Sequence, residues 1–121
     1  MDETEKTALY GKACELLEQD HRPDMAARKA LVFSDLMQRM QHDIARFVYR
    51  KKDSTTRLAY GTLDREIIAT FNAQPKAKED DKTGEFTGLV KYFDTEKLAW
   101  RSFTLESLLS YDTEWDVEDA I

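Results

Sequence analysis

The stretch AWRSFTLESLLSY, residues 99–111, decides the fold. Trp100, Arg101, Ser102, Phe103, Thr104 and Leu105 read as a strand with large side chains at spaced positions. Glu106-Ser107-Leu108-Leu109 does not continue the pattern. Those residues fit one helical turn, the connection that five-stranded SH3-like barrels place before their last strand. Leu109-Ser110-Tyr111 then predicts a short closing strand, with Leu108 dropped into the core as the chain crosses the barrel's end.

Upstream, the period is two wherever a partner strand is needed. In IARFVYRKK the positions Ala45, Phe47 and Tyr49 alternate with Ile44, Arg46, Val48 and Arg50, so Phe47 and Tyr49 mark one face. Lys52-Asp53-Ser54-Thr55 is turn chemistry, and TRLAYGTLD returns as a second strand, giving a hairpin with a basic tip. Gly61 inside that strand predicts a bulge or a sharp bend. REIIATF, residues 65–71, reads equally as continued strand or helical turn. LVKYFDTE and KLAWRSFTL form the second hairpin, turning at Asp94-Thr95-Glu96.

Before residue 44 the period is helical. Leu9, Ala13, Leu16 and Leu17 share one face of a helix, which contains a glycine at Gly11. Pro23 and Asp24 suit the first turn of a second helix, whose apolar set is Ala26, Ala30, Phe33, Leu36, Met37 and Met40. Ser34-Asp35 leaves open a break near Phe33. The expected organisation is therefore α+β: a helical region at 1–43, a five-stranded SH3-like or Sm-like β-barrel at 44–111, and an acidic tail at 112–121. Residues 72–88, with one proline, two glycines and dense mixed charge, read as a mobile loop between the barrel halves.

Charge is distributed unevenly about the net −6. Residues 1–20 hold six acids and two lysines, whereas residues 44–65 hold six basic residues and two acids. The last ten residues, DTEWDVEDAI, hold five acids and no base. The single cysteine, Cys14, forms no internal disulfide, and the acidic, polar N-terminus is unlike a secretory signal; together they make the cytoplasm the expected compartment. No apolar run approaches the roughly 20 residues needed to span a bilayer, so no membrane partner is expected.

FVYRKKDSTTRLAYGTLD and KYFDTEKLAWRSFTLESLLSY together resemble the WYL_2 family of small bacterial and phage proteins. The resemblance rests on the basic hairpin tip, Tyr60-Gly61-Thr62-Leu63, Tyr92-Phe93-Asp94 and Trp100-Arg101-Ser102-Phe103, in that order. It implies an Sm-like, SH3-type β-barrel and no particular activity. A more remote similarity links Arg101 to Leu108 with true WYL domains, which are thought to sense ligands or nucleic acid. Here Glu106-Ser107 stands where those domains usually carry an Asp-Arg pair.

No catalytic pattern emerges. His21 and His42 are far apart, Ser54-Thr55-Thr56 has no histidine placed to activate it, and neither a metal nor a cofactor is implied. The expectation is a non-enzymatic binding or adaptor module. Its first candidate surface, for an unknown protein partner, is Met37, Met40 and Trp115. The alternative is a nucleic acid or nucleotide ligand, met by Arg46, Tyr49, Arg50, Lys51, Lys52, Arg57, Tyr60, Trp100 and Arg101. Each basic residue also has a plainer reading. Arg101 would face outward and pair with an acid across the sheet, and the tip would be a solvated hairpin with Arg50 and Arg57 close across it.

Overall fold

The computed structural model describes residues 2–71, 87–111 and the backbone of 115–116. The first helix, α1 (Glu3–Leu17), begins with a capping box. Asp2 accepts from the Glu5 backbone N–H at 2.8 Å while the Glu5 carboxylate accepts from the Asp2 N–H at 3.0 Å. The second, α2 (Pro23–Met40), opens on its proline and runs unbroken past Phe33. Ser34 begins no new helix, because its hydroxyl donates back to the Leu31 carbonyl at 2.9 Å. Lys6 on α1 and Asp35 on α2 form an ion pair between the two helices.

The sheet is antiparallel throughout, in the order β4-β3-β2-β1-β5-β6. Its strands are β1 (Ala45–Arg50), β2 (Thr56–Thr62), β3 (Leu89–Asp94), β4 (Ala99–Thr104), β5 (Leu108–Tyr111) and β6 (Trp115–Asp116). A 3₁₀ turn at Leu105–Ser107 joins β4 to β5, one residue earlier than the alternation suggested, and Leu108 is fully buried. The Leu105 N–H bonds the Gly88 carbonyl at 2.7 Å, tying this turn to the entry of β3. REIIATF resolves as a helix, α3 (Arg65–Thr70), because the Asp64 carboxylate caps it by accepting from the N–H groups of Glu66 and Ile67.

One core joins helices and sheet. Ala13 and Leu17 of α1, Ala26, Ala30, Phe33, Leu36 and Met40 of α2, and the inner face of the sheet form one buried cluster. Four rings fill its centre: Phe47, Tyr49, Tyr92 and Phe103, with centroids 4.9–6.2 Å apart. The Tyr49 and Tyr92 hydroxyls satisfy each other through a 2.9 Å hydrogen bond. On the opposite face, Phe93 meets Trp100 edge-on at 5.8 Å and Phe71 at 6.0 Å, beyond the end of α3.

The segment Tyr60-Gly61-Thr62-Leu63 is a sequence of joints. The Tyr60 carbonyl accepts from both the N–H and the hydroxyl of Thr95. Gly61 makes no bulge; it gives room to the Tyr92 ring, and the ladder's irregularity lies instead at Val48/Tyr49 against β5. Buried Thr62 donates its hydroxyl to the Asp43 carbonyl at 2.9 Å and accepts from the Asp64 N–H at 3.0 Å. The Leu63 N–H bonds the Met40 carbonyl, fastening the end of α2 to the end of β2.

The loop expected at 72–88 lies outside the described residues except at its last two positions, as does the tail apart from Trp115–Asp116. Those two residues do not trail away; they pair with β5 as a short sixth strand. Among the described residues no helix is long and apolar enough to cross a membrane.

Candidate nucleic-acid interface

Strand register sorts the candidate residues onto two faces. Tyr49 lies opposite Arg57, and Tyr92 opposite Arg101, so these four belong to the inner side. Arg46 lies opposite Tyr60, Val48 opposite Leu58 and Arg50 opposite Thr56, all on the outer side, and alternation puts Trp100 on the face opposite Arg101. Trp100, Arg101 and the basic tip therefore do not share one surface.

The inner members are committed to the fold. Tyr49 is buried among the core rings and can stack on no base, which corrects its assignment as a platform. Arg57 does not face Arg50. It reaches along the rim to Asp94, which also meets Arg101; that arginine has the acid across the sheet expected of it, but it lies on the inner side of the sheet and not facing outward. The Asp94 side chain is 3% exposed. Its Oδ1 accepts from the N–H groups of Glu96 and Lys97 at 2.9 and 3.0 Å, while its Oδ2 lies 3.2 Å from Arg101 Nε and 3.9 Å from Arg57 Nη1. Arg101 Nε sits close to the carboxylate but off the line of a hydrogen bond. The carboxylate thus shapes the β3–β4 turn with one oxygen and holds two guanidinium groups with the other. Sequence reasoning passed over this role, although an aspartate ending a strand beside Arg101 was visible.

Burial pushes the Tyr92 phenol far above its ordinary range, and the bond to Tyr49 adds to the effect. The Tyr92 phenol is thereby held in its neutral form, packed among the core rings. Of the protein-docking candidates, Met40 is wholly buried in the core, and Met37 is half-buried against it. The apolar stripe of α2 is spent on the interior, which removes it as a free surface. The backbone of Trp115 lies in β6, and its side chain is outside the described residues. Cys14 is half-buried on α1, and the His21 ring lies 3.2 Å from the Leu17 carbonyl near that helix's end.

The outer face of the first hairpin is different. Arg46, Arg50 and Lys52 are exposed and have no acid partner among the described residues. Beside Arg46 lies the half-buried ring of Tyr60, and between the two arginines lie Val48 and Leu58, the latter 50% exposed. At the tip, Lys51 Nζ stands 3.9 Å from Asp53. Asp53 accepts from the Thr55 hydroxyl at 2.6 Å and its N–H at 3.0 Å; these bonds hold its carboxyl below the usual range. Ser54 takes a left-handed conformation, φ 75°, to close the turn. The hairpin thereby presents cations on both sides of an apolar centre. Leu58 was not singled out from sequence, since one leucine in a strand carries no sign of exposure.

The family profile described as WYL_2, Sm-like SH3 beta-barrel fold, matches residues 33–109. An "Uncharacterized 11.5 kDa protein in Gp31-cd intergenic region" of Enterobacteria phage T4 is 28% identical over 83 residues, covering 69% of this chain and 79% of the phage protein. No solved structure matches the chain. The matched span runs from the middle of α2 to the closing strand and contains every joint described above, and on that evidence the chain belongs to the WYL_2 family of Sm-like SH3 β-barrel proteins.

Proposed function

We propose that this chain is a non-enzymatic binding module that takes a single-stranded nucleic acid on the outer face of its first hairpin. The observation that carries the reading is the pair Arg46 and Arg50, exposed on one strand face and, like exposed Lys52 at the tip, unpaired with any acid among the described residues. Cations spaced along one strand face without acid partners can each neutralise a phosphate of an extended phosphodiester backbone. Tyr60 and Leu58 add flat and apolar surface to which bases can pack. The non-enzymatic part is supported by Asp94, a buried carboxylate whose oxygens are already engaged by backbone N–H groups and guanidinium groups.

Fluorescence anisotropy with labelled twelve-nucleotide DNA and RNA strands tests this. Three neutralised phosphates give a slope of log affinity against log salt of about −2, so affinity falls roughly tenfold to twentyfold between 50 and 200 mM salt. Arg46→Ala with Arg50→Ala removes most of the binding, and Arg101→Ala leaves it unchanged. Absence of binding at 50 mM salt, or binding indifferent to salt, overturns the reading.

A further inference from the structure

The ion pairs of Asp94 use only part of the two guanidinium groups that meet it. β2 and β4 lie on either side of β3 and bring Arg57 and Arg101 to one oxygen of that carboxylate. At 3.9 Å the Arg57 contact is too long for a hydrogen bond, and at 3.2 Å the Arg101 Nε–H points off its line. The other oxygen, Oδ1, already accepts from the N–H groups of Glu96 and Lys97. Among the described residues neither guanidinium therefore has a hydrogen-bond acceptor, although the two side chains are only 21% and 33% exposed. A guanidinium is all donor, and donors drawn out of water without acceptors are costly. Charge is unbalanced as well. Two cations share one carboxylate, and the exposed turn beside them adds Glu96 and Lys97, which cancel.

We infer that Arg57 and Arg101 together bind an oxyanion at the inner rim of the sheet, and that its carrier is a small phosphate monoester. Guanidinium forks match phosphate edges with paired N–H donors. Because both arginines approach the same Asp94 oxygen, their forks are held within reach of one further anion. Two forks meeting at one point can use more oxygens than a carboxylate has. A phosphate monoester offers three, and its fourth oxygen carries the rest of the ligand out through the exposed side of the pair. Asp94 sets the spacing: the turn fixes it through Oδ1, and Oδ2 keeps the two cations together. This rim lies on the face of the sheet opposite Arg46 and Arg50, and the inference does not rest on the nucleic-acid reading above.

The test is a titration of the full chain with glycerol 3-phosphate, read at the side-chain Nε–H resonances of Arg57 and Arg101. Chloride holds the ionic strength at about 0.1 M throughout, so that screening stays constant. Both resonances are expected to move and to saturate in the millimolar range. Inorganic phosphate should compete, and acetate should not. Arg57→Lys and Arg101→Lys keep the charge beside Asp94 but lose the fork, and each should weaken binding about tenfold. Arg46→Ala with Arg50→Ala should leave it unchanged. Resonances that stay still, or that drift without saturating, overturn the site, and this measurement needs no variant to fold. Lysine variants that bind as tightly as the parent overturn it too, as does loss of binding in the Arg46 and Arg50 variant, which would put the anion on the outer face. Acetate competing as well as phosphate overturns the choice of a phosphate monoester.

Discussion

Gly61 lies directly beneath the ring of Tyr92: a Cβ built on it would stand 2.4 Å from Tyr92 Cδ2 and 3.1 Å from Phe47 Cε1. Neither ring has space to retreat, since both belong to the packed core. Gly61→Ala is therefore expected to destabilise the protein by about 2–3 kcal/mol through overpacking. Chemical denaturation measures it. A loss below about 0.5 kcal/mol would mean that the rings yield and that the glycine serves another purpose.

Asp94 holds two guanidinium groups at the rim of the inner face. Asp94→Asn keeps the shape but removes the charge, leaving Arg57 and Arg101 uncompensated in a partly buried place. A cost of about 2–3 kcal/mol is expected, against roughly 1 kcal/mol for Arg101→Ala, whose side chain is one-third exposed. In a double-mutant cycle the two changes should fall short of additivity by about 1 kcal/mol. Full additivity would show that the carboxylate matters only to the turn of residues 95–98.

The Tyr49–Tyr92 hydroxyl pair makes a statement about pH. The Tyr92 phenol is raised in the folded protein by burial, so at high pH the unfolded chain releases a proton that the folded chain keeps. Its contribution is fully present below the ordinary phenol value near 10 and declines as pH rises beyond it. Denaturation between pH 8 and 11 should show stability falling only above about 10, with the fall reduced in Tyr92→Phe. Tyr92→Phe itself should cost about 1–2 kcal/mol at neutral pH, because the Tyr49 hydroxyl is left buried without its partner.

Leu98 closes the second hairpin at φ 55° with its side chain 56% exposed. A leucine held in the left-handed region costs about 1–2 kcal/mol, and this one recovers little of that by burial. Leu98→Gly should raise stability by about 0.5–1 kcal/mol after the extra chain entropy of glycine is counted. A melting curve decides it. A lower midpoint would show that the exposed leucine packs on something of value to the fold.

Much of the architecture was legible in the residues. The change of period after Asp43 separated helix from strand, one residue before β1 begins at Ala45, and the failed alternation after Leu105 located the final crossing to within one residue. Three readings could not be completed from the chain alone because each depends on a distant partner. The purpose of Gly61 is visible only when Tyr92 lies over it. The continuity of α2 depends on which carbonyl the Ser34 hydroxyl chooses. The division of Arg46 and Arg50 from Arg57 and Arg101 depends on register, since a one-residue slip in pairing exchanges the faces of a strand. For the same reason the methionine stripe looked available: amphipathicity tells that a face is covered, not by what.

The side-chain nitrogen of Lys29, buried on α2, donates to the carbonyl of Glu106 in the 3₁₀ turn. That lysine precedes the span shared with the family, which begins at Phe33. A protein trimmed to the shared span would thus lose the side-chain donor to the Glu106 carbonyl, together with the first turns of α2 that carry it. The early turns of α2 thus fasten the crossing from β4 to β5 through a residue that lies before the matched span.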